Sequence, residues 1–309
     1  MKPSDPGVMM ARLAAAIEGR YRIEKEAGRG AMARVYQAVE VLTGRQVAIK
    51  LLPPETATTT NAERFQREIA VTKTLDHPNI LALIDSGAGD GLYWYVMPFV
   101  AGETVREALV TRGLMAIPDA LQIVAQVGSA LTYAHRKGIV HRDLKPENIM
   151  ISEGRALVVD FGLARALDVQ SNLTGTGMPL GTPAYMSPEQ ITGAAEADPR
   201  ADLYSFACVG YEMLTGRPPF VGTTVLHLLQ GHLGRVPDPP SRHRQELGPK
   251  IDAALLKALE KRPEARQASV EQFLTDLTVG GALAPANAPA APPAARQGAG
   301  LFGRLFGKR

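Results

Sequence analysis

The chain reads His141-Arg142-Asp143-Leu144-Lys145-Pro146-Glu147-Asn148 near its middle, and Asp160-Phe161-Gly162 follows shortly after. The first stretch places a carboxylate, an ammonium group and an amide at fixed offsets. A short loop that positions a hydroxyl nucleophile and holds a metal bound to nucleotide phosphates needs these groups. Eight fixed letters, at roughly 5% frequency each, coincide by chance on the order of once in 10¹⁰ positions. The stretch therefore predicts phosphoryl-transfer chemistry.

The composition of the chain indicates a globular protein. It has 309 residues, of which 45% are hydrophobic and 21% charged, enough for one or two units with cores of their own. The formal net charge is +3, and four cations but no acid follow Asp276. Without those four, 30 of the 34 basic residues remain against 31 acidic ones, so a basic groove for nucleic acid is not indicated.

The single cysteine and the hydropathy pattern indicate the cellular compartment of the protein. Cys208 cannot form an internal disulfide, and its apolar neighbours indicate an inert thiol on a buried helix, which fits a reducing compartment. No run reaches the ~18 apolar residues that a membrane-spanning helix requires. The apolar stretch from Met9 to Ile17 is interrupted by Arg12 and followed by Glu18, unlike a cleavable leader. We expect a soluble cytoplasmic protein without a membrane span.

Hydrophobic periodicity divides the chain into segments. Residues 1–20 hold a short amphipathic pattern, and we expect a helix or a frayed lead-in that packs on the first strands. Residues 21–97 alternate strand-like pieces with one helix. A proline-containing connector at 98–102 has the character of a hinge, and residues 103–277 are mainly helical. The predicted strands are 21–27, 34–40, 46–52 and 92–99, and the predicted helices are 61–75, 121–135, 201–214, 223–233, 250–260 and 269–277.

The C-terminal end has a different composition. Residues 278–300 are dominated by Ala, Pro and Gly, which predicts a disordered linker. Residues 301–309 repeat a Leu-Phe-Gly-basic unit that is too short to make a core. Two interpretations of this tail stay open: a solvated end, or a segment that docks on a partner or weakly on a membrane surface.

With both motifs quoted above, the sequence resembles the eukaryotic-type protein serine/threonine kinases, including those of bacteria. The resemblance covers about 21–277. It implies an α+β, bilobal protein-kinase-like fold, with a small β-rich N-lobe that carries one regulatory helix and a larger, mostly helical C-lobe. It also implies ATP as the phosphoryl donor and Mg²⁺ as the metal, with Mn²⁺ as an alternative ion.

A glycine-rich segment resembles the phosphate-binding loop of that family. Gly28 and Gly30 occupy its first two glycine positions, Ala33 stands at the third, and Val35 follows. Backbone amides approach phosphates in such a loop because no side chain blocks them. Alanine at 33 is small enough for this approach but restricts the backbone, so we expect a working and somewhat stiffer loop.

The resemblance implies the remaining contacts to the nucleotide. Lys50 would reach the α and β phosphates and be oriented by a helix carboxylate, for which Glu68 is preferred and Glu63 is the rival. The purine edge would meet backbone groups of Pro98 and Val100, where proline removes one amide donor and leaves the carbonyl. The side chains expected to sandwich the ring are those of Val35, Ala48 and Met150.

Within the decisive stretch, each polar residue has an implied role. Asp143 would orient the acceptor hydroxyl and accept its proton late in the step, while Lys145 would neutralise charge on the migrating phosphoryl group. Asn148 and Asp160 would hold Mg²⁺. A pseudokinase, which keeps the scaffold without turnover, would lack at least one of these residues, and none is missing.

Other residues have supporting roles under the same resemblance. We expect His141 and Phe161 to stack in the core and Asp202 to be a buried carboxylate that holds the loop backbone. An ion pair is expected between Glu189 and Arg266.

The class of acceptor depends on residues 181–189, which resemble the segment that positions a peptide in protein kinases and so favour protein substrates. Thr182 in that segment and Lys145 fit the serine/threonine variant. Arg142 offers a bidentate site for a phosphate on the activation segment, with Thr174 and Thr176 as the candidate acceptors of autophosphorylation.

The sequence thus predicts an ATP-dependent protein serine/threonine kinase in signal transduction. Two other classes remain to be separated by experiment: a nucleotide-binding pseudokinase scaffold that acts through the C-terminal tail, and a small-molecule kinase. The expected partners are proteins with serine or threonine acceptors, and homodimerisation is left open.

Overall fold

A computed structural model describes residues 6–29, 33–52, 59–89, 91–161, 183–193 and 198–278, without the side chains of 6, 59–63 and 278. These residues fall into two compact units. The sheet unit comprises the described residues up to Asp76 together with Leu81–Ala101. The helical unit comprises His77–Ile80 and the described residues from Gly102 onward. In the described residues, no helix is long and apolar enough to cross a membrane.

The sheet unit is built on a five-stranded antiparallel sheet in the order β1-β2-β3-β5-β4. Its elements are α1 (Pro6–Ala16), β1 (Tyr21–Arg29), β2 (Arg34–Glu40), β3 (Gln46–Leu51), α2 (Thr59–Thr72), β4 (Asp85–Gly89) and β5 (Leu92–Pro98).

Strand alternation gives this sheet two different faces. One face presents Tyr36, Val47, Ile49 and other apolar residues to a core that α1 completes with Met9 and Leu13. The expected packing of the N-terminal lead-in on the first strands is therefore confirmed. The opposite face carries α2, since its buried Phe65 packs on Tyr93 of β5 with ring centroids 5.1 Å apart.

The helical unit combines seven described helices with a small antiparallel sheet in the order β6-β7-β8. The strands are β6 (Glu103–Thr104), β7 (Ile149–Ser152) and β8 (Arg155–Val158). The helices are α3 (Val105–Arg112), α4 (Ile117–Arg136), α5 (Pro188–Ile191), α6 (Pro199–Thr215), α7 (Val225–Gly234), α8 (Gly248–Ala258) and α9 (Val270–Thr278).

Local signals explain where these helices begin and end. Asp198 caps α6 by accepting the Arg200 amide at 2.8 Å, Pro199 occupies the first turn, and Gly216 closes the helix at φ 74°. Nearly every residue of α6 is buried, Cys208 included, so this helix forms the centre of the unit. The expected burial of Cys208 on a helix is confirmed, and this burial raises the pKa of its thiol above the ordinary value.

The α+β fold predicted from the sequence is confirmed, with an antiparallel sheet in one unit and mostly helices in the other. The predicted strand 34–40 matches β2 at both ends. The predicted helix 61–75 is shifted, because α2 starts at Thr59 and ends at Thr72, although the predicted apolar stripe of Phe65, Ile69 and Leu75 is buried.

Candidate functional site

The decisive stretch forms a loop between α4 and β7 in which three predicted site residues meet. Lys145 Nζ donates to Asp143 Oδ2 at 2.6 Å. Asn148, which is 7% exposed, donates from Nδ2 to the Asp143 carbonyl at 2.7 Å and to Asp143 Oδ2 at 3.2 Å. A short 3₁₀ turn from Pro146 to Asn148 makes this possible, because it folds the chain back on itself. The carboxylate, ammonium and amide groups therefore form one hydrogen-bonded cluster.

Asp202 of α6 fixes the start of the loop by accepting hydrogen bonds from its backbone amides. Its Oδ2 accepts the His141 amide at 2.7 Å and its Oδ1 accepts the Arg142 amide at 2.8 Å. His135 Nε2 donates to Oδ2 at 2.8 Å. Burial alone would raise the pKa of Asp202, but the hydrogen bond and charge of His135, together with the backbone amide of His141, outweigh it and lower this pKa. The expected role of Asp202 as a buried carboxylate that holds the loop is confirmed.

His141 and Phe161 also lie in the core as expected, in edge-to-face contact with centroids 4.8 Å apart. His141 Nε2 donates to the Val159 carbonyl at 2.9 Å, and Nδ1 accepts the Asp143 amide at 3.3 Å. These two bonds assign a neutral imidazole with the proton on Nε2. The ring thus links the loop that carries Asp143 to the strand end that precedes Asp160.

Two predicted site residues have a backbone conformation that side chains disfavour. Arg142 lies at φ 70° and Asp160 at φ 63°. The left-handed region costs a residue with a Cβ atom about 1 kcal/mol or more. Arg142 directly precedes Asp143, and Asp160 directly follows Val159, whose amide donates to the Asn148 carbonyl at 3.0 Å. The bonds of Asp202 to the Arg142 amide and of His141 to the Val159 carbonyl stabilise the backbone beside these two strained residues.

The chemistry of Asn148 and Asp160 fits a hard divalent cation. The hydrogen bonds of Asn148 use Nδ2, which leaves the carbonyl oxygen as the atom that can bind a metal. Mg²⁺ prefers oxygen ligands and is commonly held by one or two protein side chains together with substrate phosphates. Over the described ranges, no group of three or more His, Cys, Asp or Glu side chains could hold a metal alone.

The described end of the segment 181–189 is tied to the same loop. Ser187 and Gln190 form a reciprocal capping box at the start of α5. Gln190 Nε2 also donates to the Arg142 carbonyl at 2.7 Å. The sequence analysis missed Gln190, although the Ser-x-x-Gln pattern was a usable signal for the helix start.

The expected ion pair between Glu189 and Arg266 is confirmed, and it is bidentate. Nη1 lies 2.7 Å from Oε1 and Nη2 lies 2.8 Å from Oε2. The side chain of Arg266 is fully buried, and its donors also reach three backbone carbonyls, those of Arg200, Glu260 and Lys261. The pair anchors α5 to the body of the helical unit.

In the sheet unit, strand register places Val35, Ala48 and Lys50 on one face. Val35 of β2 pairs with Lys50 of β3, and Lys50 pairs with Tyr95 of β5. The neighbours Val47, Ile49 and Leu51 point to the opposite face, into the core completed by α1. The face with Lys50 is the one on which α2 packs through Phe65 and Tyr93.

This packing puts Glu68 on a helix that covers the face of Lys50. Glu68 follows Phe65 by three positions and is half-buried. The side chain of the rival, Glu63, is not among those described. The choice of Glu68 as partner of Lys50 therefore stays a prediction.

The other predicted nucleotide contacts are placed as follows. Gly28 lies in β1 beside an irregularity of register and pairs with Val35, and Ala33 directly precedes β2. Pro98 pairs with Val47 at the end of β5, and Val100 lies two residues further on. Met150 lies in β7 of the helical unit, paired with Thr104 and Leu157. Among the predicted sites and segments, those outside the described ranges are Gly30, Thr174, Thr176, Thr182, the predicted linker from residue 279 to 300 and the tail 301–309.

Comparison with known proteins defines the class. The family model described as "Protein kinase domain" matches residues 21–276, most of the chain. Together with the fold and the polar loop described above, this match shows that the chain belongs to the protein kinase family.

Two individual relatives are bacterial serine/threonine-protein kinases by name. The chain is 40% identical over 268 residues to "Serine/threonine-protein kinase PknB" of Mycolicibacterium smegmatis, covering 84% of this chain and 43% of the relative. It is 41% identical over 267 residues to "Probable serine/threonine-protein kinase SCO3848" of Streptomyces coelicolor, covering 84% and 39%. The chain thus spans about two fifths of the length of these curated relatives.

Among solved structures, the chain is similar to "Rad53 1-466 in complex with AMP-PNP", with a TM-score of 0.70 and 28% sequence identity. This similarity covers 84% of the present chain and 65% of the other. It agrees with the protein kinase fold.

Proposed function

We propose that the protein transfers the γ-phosphoryl group of ATP to serine or threonine hydroxyls of proteins. The observation that carries this proposal is the hydrogen-bonded cluster of Asp143, Lys145 and Asn148. A half-exposed carboxylate paired with an ammonium group contributes little to stability, and a strained backbone beside it lowers stability. Such an arrangement is typical of a functional site rather than of a loop that only supports the fold. The names of the relatives support the same reaction, and the comparisons give no support to the pseudokinase scaffold.

Asp143 is assigned to the acceptor hydroxyl. Both hydrogen bonds from Lys145 and Asn148 end on Oδ2, and the side chain is 46% exposed. The second carboxylate oxygen can therefore accept a hydrogen bond from the incoming serine or threonine. A bond forms between the hydroxyl oxygen and the γ-phosphorus, the bond from that phosphorus to the oxygen bridging it to the β-phosphorus breaks, and the hydroxyl proton passes to Asp143.

Lys145 and the predicted metal ligands manage negative charge. Lys145 stabilises the phosphoryl oxygens, where charge develops during transfer, because its ammonium group is held in place by Asp143 before the substrate arrives. We assign Mg²⁺, with Mn²⁺ as an alternative, to Asn148 and Asp160. When bound, such an ion neutralises phosphate charge.

The nucleotide itself is assigned to residues that the sequence analysis proposed. Lys50, with Glu68 as its orienting partner, binds phosphate, and the apolar side chains of Val35 and Ala48 on the same face bind the purine ring. Met150 and the backbone at 98–100 complete this assignment. The kinase domain spans about 21–277 in this proposal, with 98–102 as the hinge.

Regulation is proposed at the activation segment. Phosphate on Thr174 or Thr176 would pair with Arg142, whose backbone is fixed on one side by Asp202 and on the other by Gln190. Thr182 is proposed to position the substrate. Autophosphorylation between two copies makes a transient homodimer part of this proposal, and contact of the tail with a partner or a membrane surface stays a prediction. We propose a cytoplasmic location for this domain, since the reaction consumes ATP, which cells hold internally.

The test is transfer of label from γ-³²P-ATP with Mg²⁺ to the protein itself and to a generic basic protein. Asp143→Asn keeps the size of the side chain but removes the charge, and it is expected to lower transfer by on the order of 10²-fold or more. The matched control is Asp119→Asn, an exposed carboxylate in the first turn of α4, which is expected to leave transfer unchanged. ATP binding without any transfer by the wild-type protein would refute the proposal, and a labelled metabolite without labelled protein would point to a small-molecule kinase.

A further inference from the structure

Arg106 of α3 lies at the centre of a polar cluster that is separate from Asp143 and its partners. Its Nε donates to Glu147 Oε1 at 2.9 Å and its Nη1 donates to Glu212 Oε1 at 2.8 Å. Its Nη2 donates to the hydroxyl of Tyr185, which in turn donates to Glu212 Oε2. Each nitrogen of the guanidinium group thus serves a different residue.

The cluster is mostly withdrawn from water. Tyr185 is 4% exposed and the side chain of Glu212 is 6% exposed, while the side chains of Arg106 and Glu147 are about one third exposed. Burial raises the pKa of Tyr185 above its ordinary value, and the charge of Glu212 raises it further. The phenol therefore stays protonated and remains a donor. Arg106 donates to both carboxylates, and it supplies the positive charge that makes the burial of Glu212 tolerable.

The partners of Arg106 belong to segments with different tasks in the proposed reaction. Glu147 lies between Lys145 and Asn148, in the 3₁₀ turn of the catalytic loop. Tyr185 ends the turn that begins at Pro183, within the segment 181–189 assigned to peptide positioning. Glu212 belongs to α6, the central helix of the unit. Arg106 therefore bridges the catalytic loop and the peptide-positioning segment through side chains, in addition to the bond from Gln190 to the Arg142 carbonyl.

We propose that Arg106 is a positioning residue, which fixes the distance between the catalytic loop and the peptide-positioning segment through Glu147 and Tyr185. This inference rests on the proposed function and goes beyond it, because it assigns a role in acceptor placement to a residue outside both segments. Arg106 binds neither nucleotide nor metal in this assignment. Its loss affects transfer to a protein hydroxyl and leaves the handling of ATP intact.

The geometry requires arginine in particular. The planar guanidinium group presents donors in a rigid fork, so Nε, Nη1 and Nη2 reach three acceptors from one side chain. A lysine at 106 would keep the positive charge but has a single nitrogen. Arg106→Lys therefore separates the contribution of the fork from that of the charge, because it keeps a positive charge beside the buried carboxylate of Glu212.

The experiment compares two reactions of the same enzyme, phosphorylation of a peptide and hydrolysis of ATP by water in the absence of peptide. Arg106→Lys and Arg106→Met are each measured at saturating ATP. A displacement of about 1 Å between reacting groups costs on the order of 10²-fold in rate. We expect peptide phosphorylation to fall about 10-fold for Arg106→Lys and about 10²-fold for Arg106→Met, with ATP hydrolysis and the KM for ATP within about 2-fold of wild type.

The matched control is Arg112→Gln on the same helix. Arg112 pairs with Glu103 at 2.7 Å, but both side chains are substantially exposed and neither touches the cluster. This variant is expected to resemble wild type in both reactions. A second control is Tyr185→Phe, alone and combined with Arg106→Met. If both residues act through one link, the double variant is no slower than Arg106→Met alone.

The results separate this inference from the proposed function. If wild type and Arg112→Gln do not phosphorylate any peptide, the proposed function fails. If they do, and Arg106→Lys and Arg106→Met match them, the positioning role is wrong. Equal losses in peptide phosphorylation and ATP hydrolysis would also overturn it, because a merely structural role lowers both reactions together.

Discussion

The buried pair of Glu189 and Arg266 gives a prediction with a magnitude that follows from the structure. The perturbation is Glu189→Gln, which keeps the shape of the side chain and removes its charge. Arg266 is fully buried and uses its donors on the two Glu189 oxygens and on three backbone carbonyls. The variant therefore leaves the buried guanidinium charge of Arg266 without a counter-charge. The side-chain NH₂ group that Glu189→Gln introduces would also face an N–H donor of Arg266 instead of accepting from it.

Removing one partner of a buried ion pair costs about 3–5 kcal/mol. Because glutamine keeps one acceptor oxygen, we expect a loss near the lower end, about 3 kcal/mol. For a domain of this size each kcal/mol corresponds to roughly 2–4 °C, so the Tm should fall by roughly 6–12 °C. Domains of ordinary stability have about 5–15 kcal/mol to lose, so the folded state survives at 25 °C.

The assay is thermal and urea denaturation followed by circular dichroism at 222 nm, which reports on the helices. Fluorescence is less suitable because Trp94, the single tryptophan of the sequence, lies in the sheet unit. The control is Glu271→Gln, whose partner Arg136 lies at 2.9 Å while both side chains are more than 60% exposed. Exposed pairs contribute only about 0–1 kcal/mol. If the two variants lose the same stability, or Glu189→Gln loses less than about 1 kcal/mol, burial does not control the strength of this pair and the argument is wrong.

Two further predictions concern packing and pH. A Cβ atom at Gly102 would lie 2.2 Å from the Ile151 carbonyl oxygen, so Gly102→Ala should cost about 1–3 kcal/mol in a denaturant titration. Gly234→Ala is the control, as its Cβ would meet nothing within 4 Å, and an equal loss there would count against the clash. Burial and a neighbouring lysine lower the pKa of His232 to about 4, below its ordinary value of 6.5, so the unfolded chain binds the proton more readily. The contribution of neutral His232 to the free energy of unfolding should be fully present above pH 6.5 and should fall by about 3 kcal/mol as the pH drops to 4. His232→Gln should flatten this pH dependence of the free energy of unfolding between pH 6.5 and 4.

The fold could be predicted where one local pattern dominates. Alternation located β2, and an apolar stripe located α2, because each element has one face in a core. The sequence analysis missed β4, which reads Asp-Ser-Gly-Ala-Gly and has low strand propensity. This strand exists because Gly87 lets the ring of Trp94 lie against its backbone, where a Cβ atom would be 2.2 Å from the ring. Tertiary contact, which no local pattern reveals, decided its structure.

Short elements and distant contacts were the other source of misses. The sequence analysis missed the eight-residue helix α3, although the Thr-x-x-Glu spacing of Thr104 and Glu107 predicts the capping box that they form. The motif residues Asp143, Lys145 and Asn148 could be identified because they are close in sequence. The partners of Arg106 are separated from it by 41, 79 and 106 positions, so only the folded structure brings them together.

The helix that precedes the first strand has a practical consequence for anyone who trims this protein. The family match begins at Tyr21, yet Met9, Leu13 and Ile17 are 5% exposed or less and close the rear of the five-stranded sheet. Burying three such side chains contributes roughly 5–9 kcal/mol as an upper estimate. A fragment that begins at Tyr21 would expose the apolar face of the sheet that α1 covers, and we expect it to aggregate. A stable fragment should therefore include α1, which lies upstream of the family match.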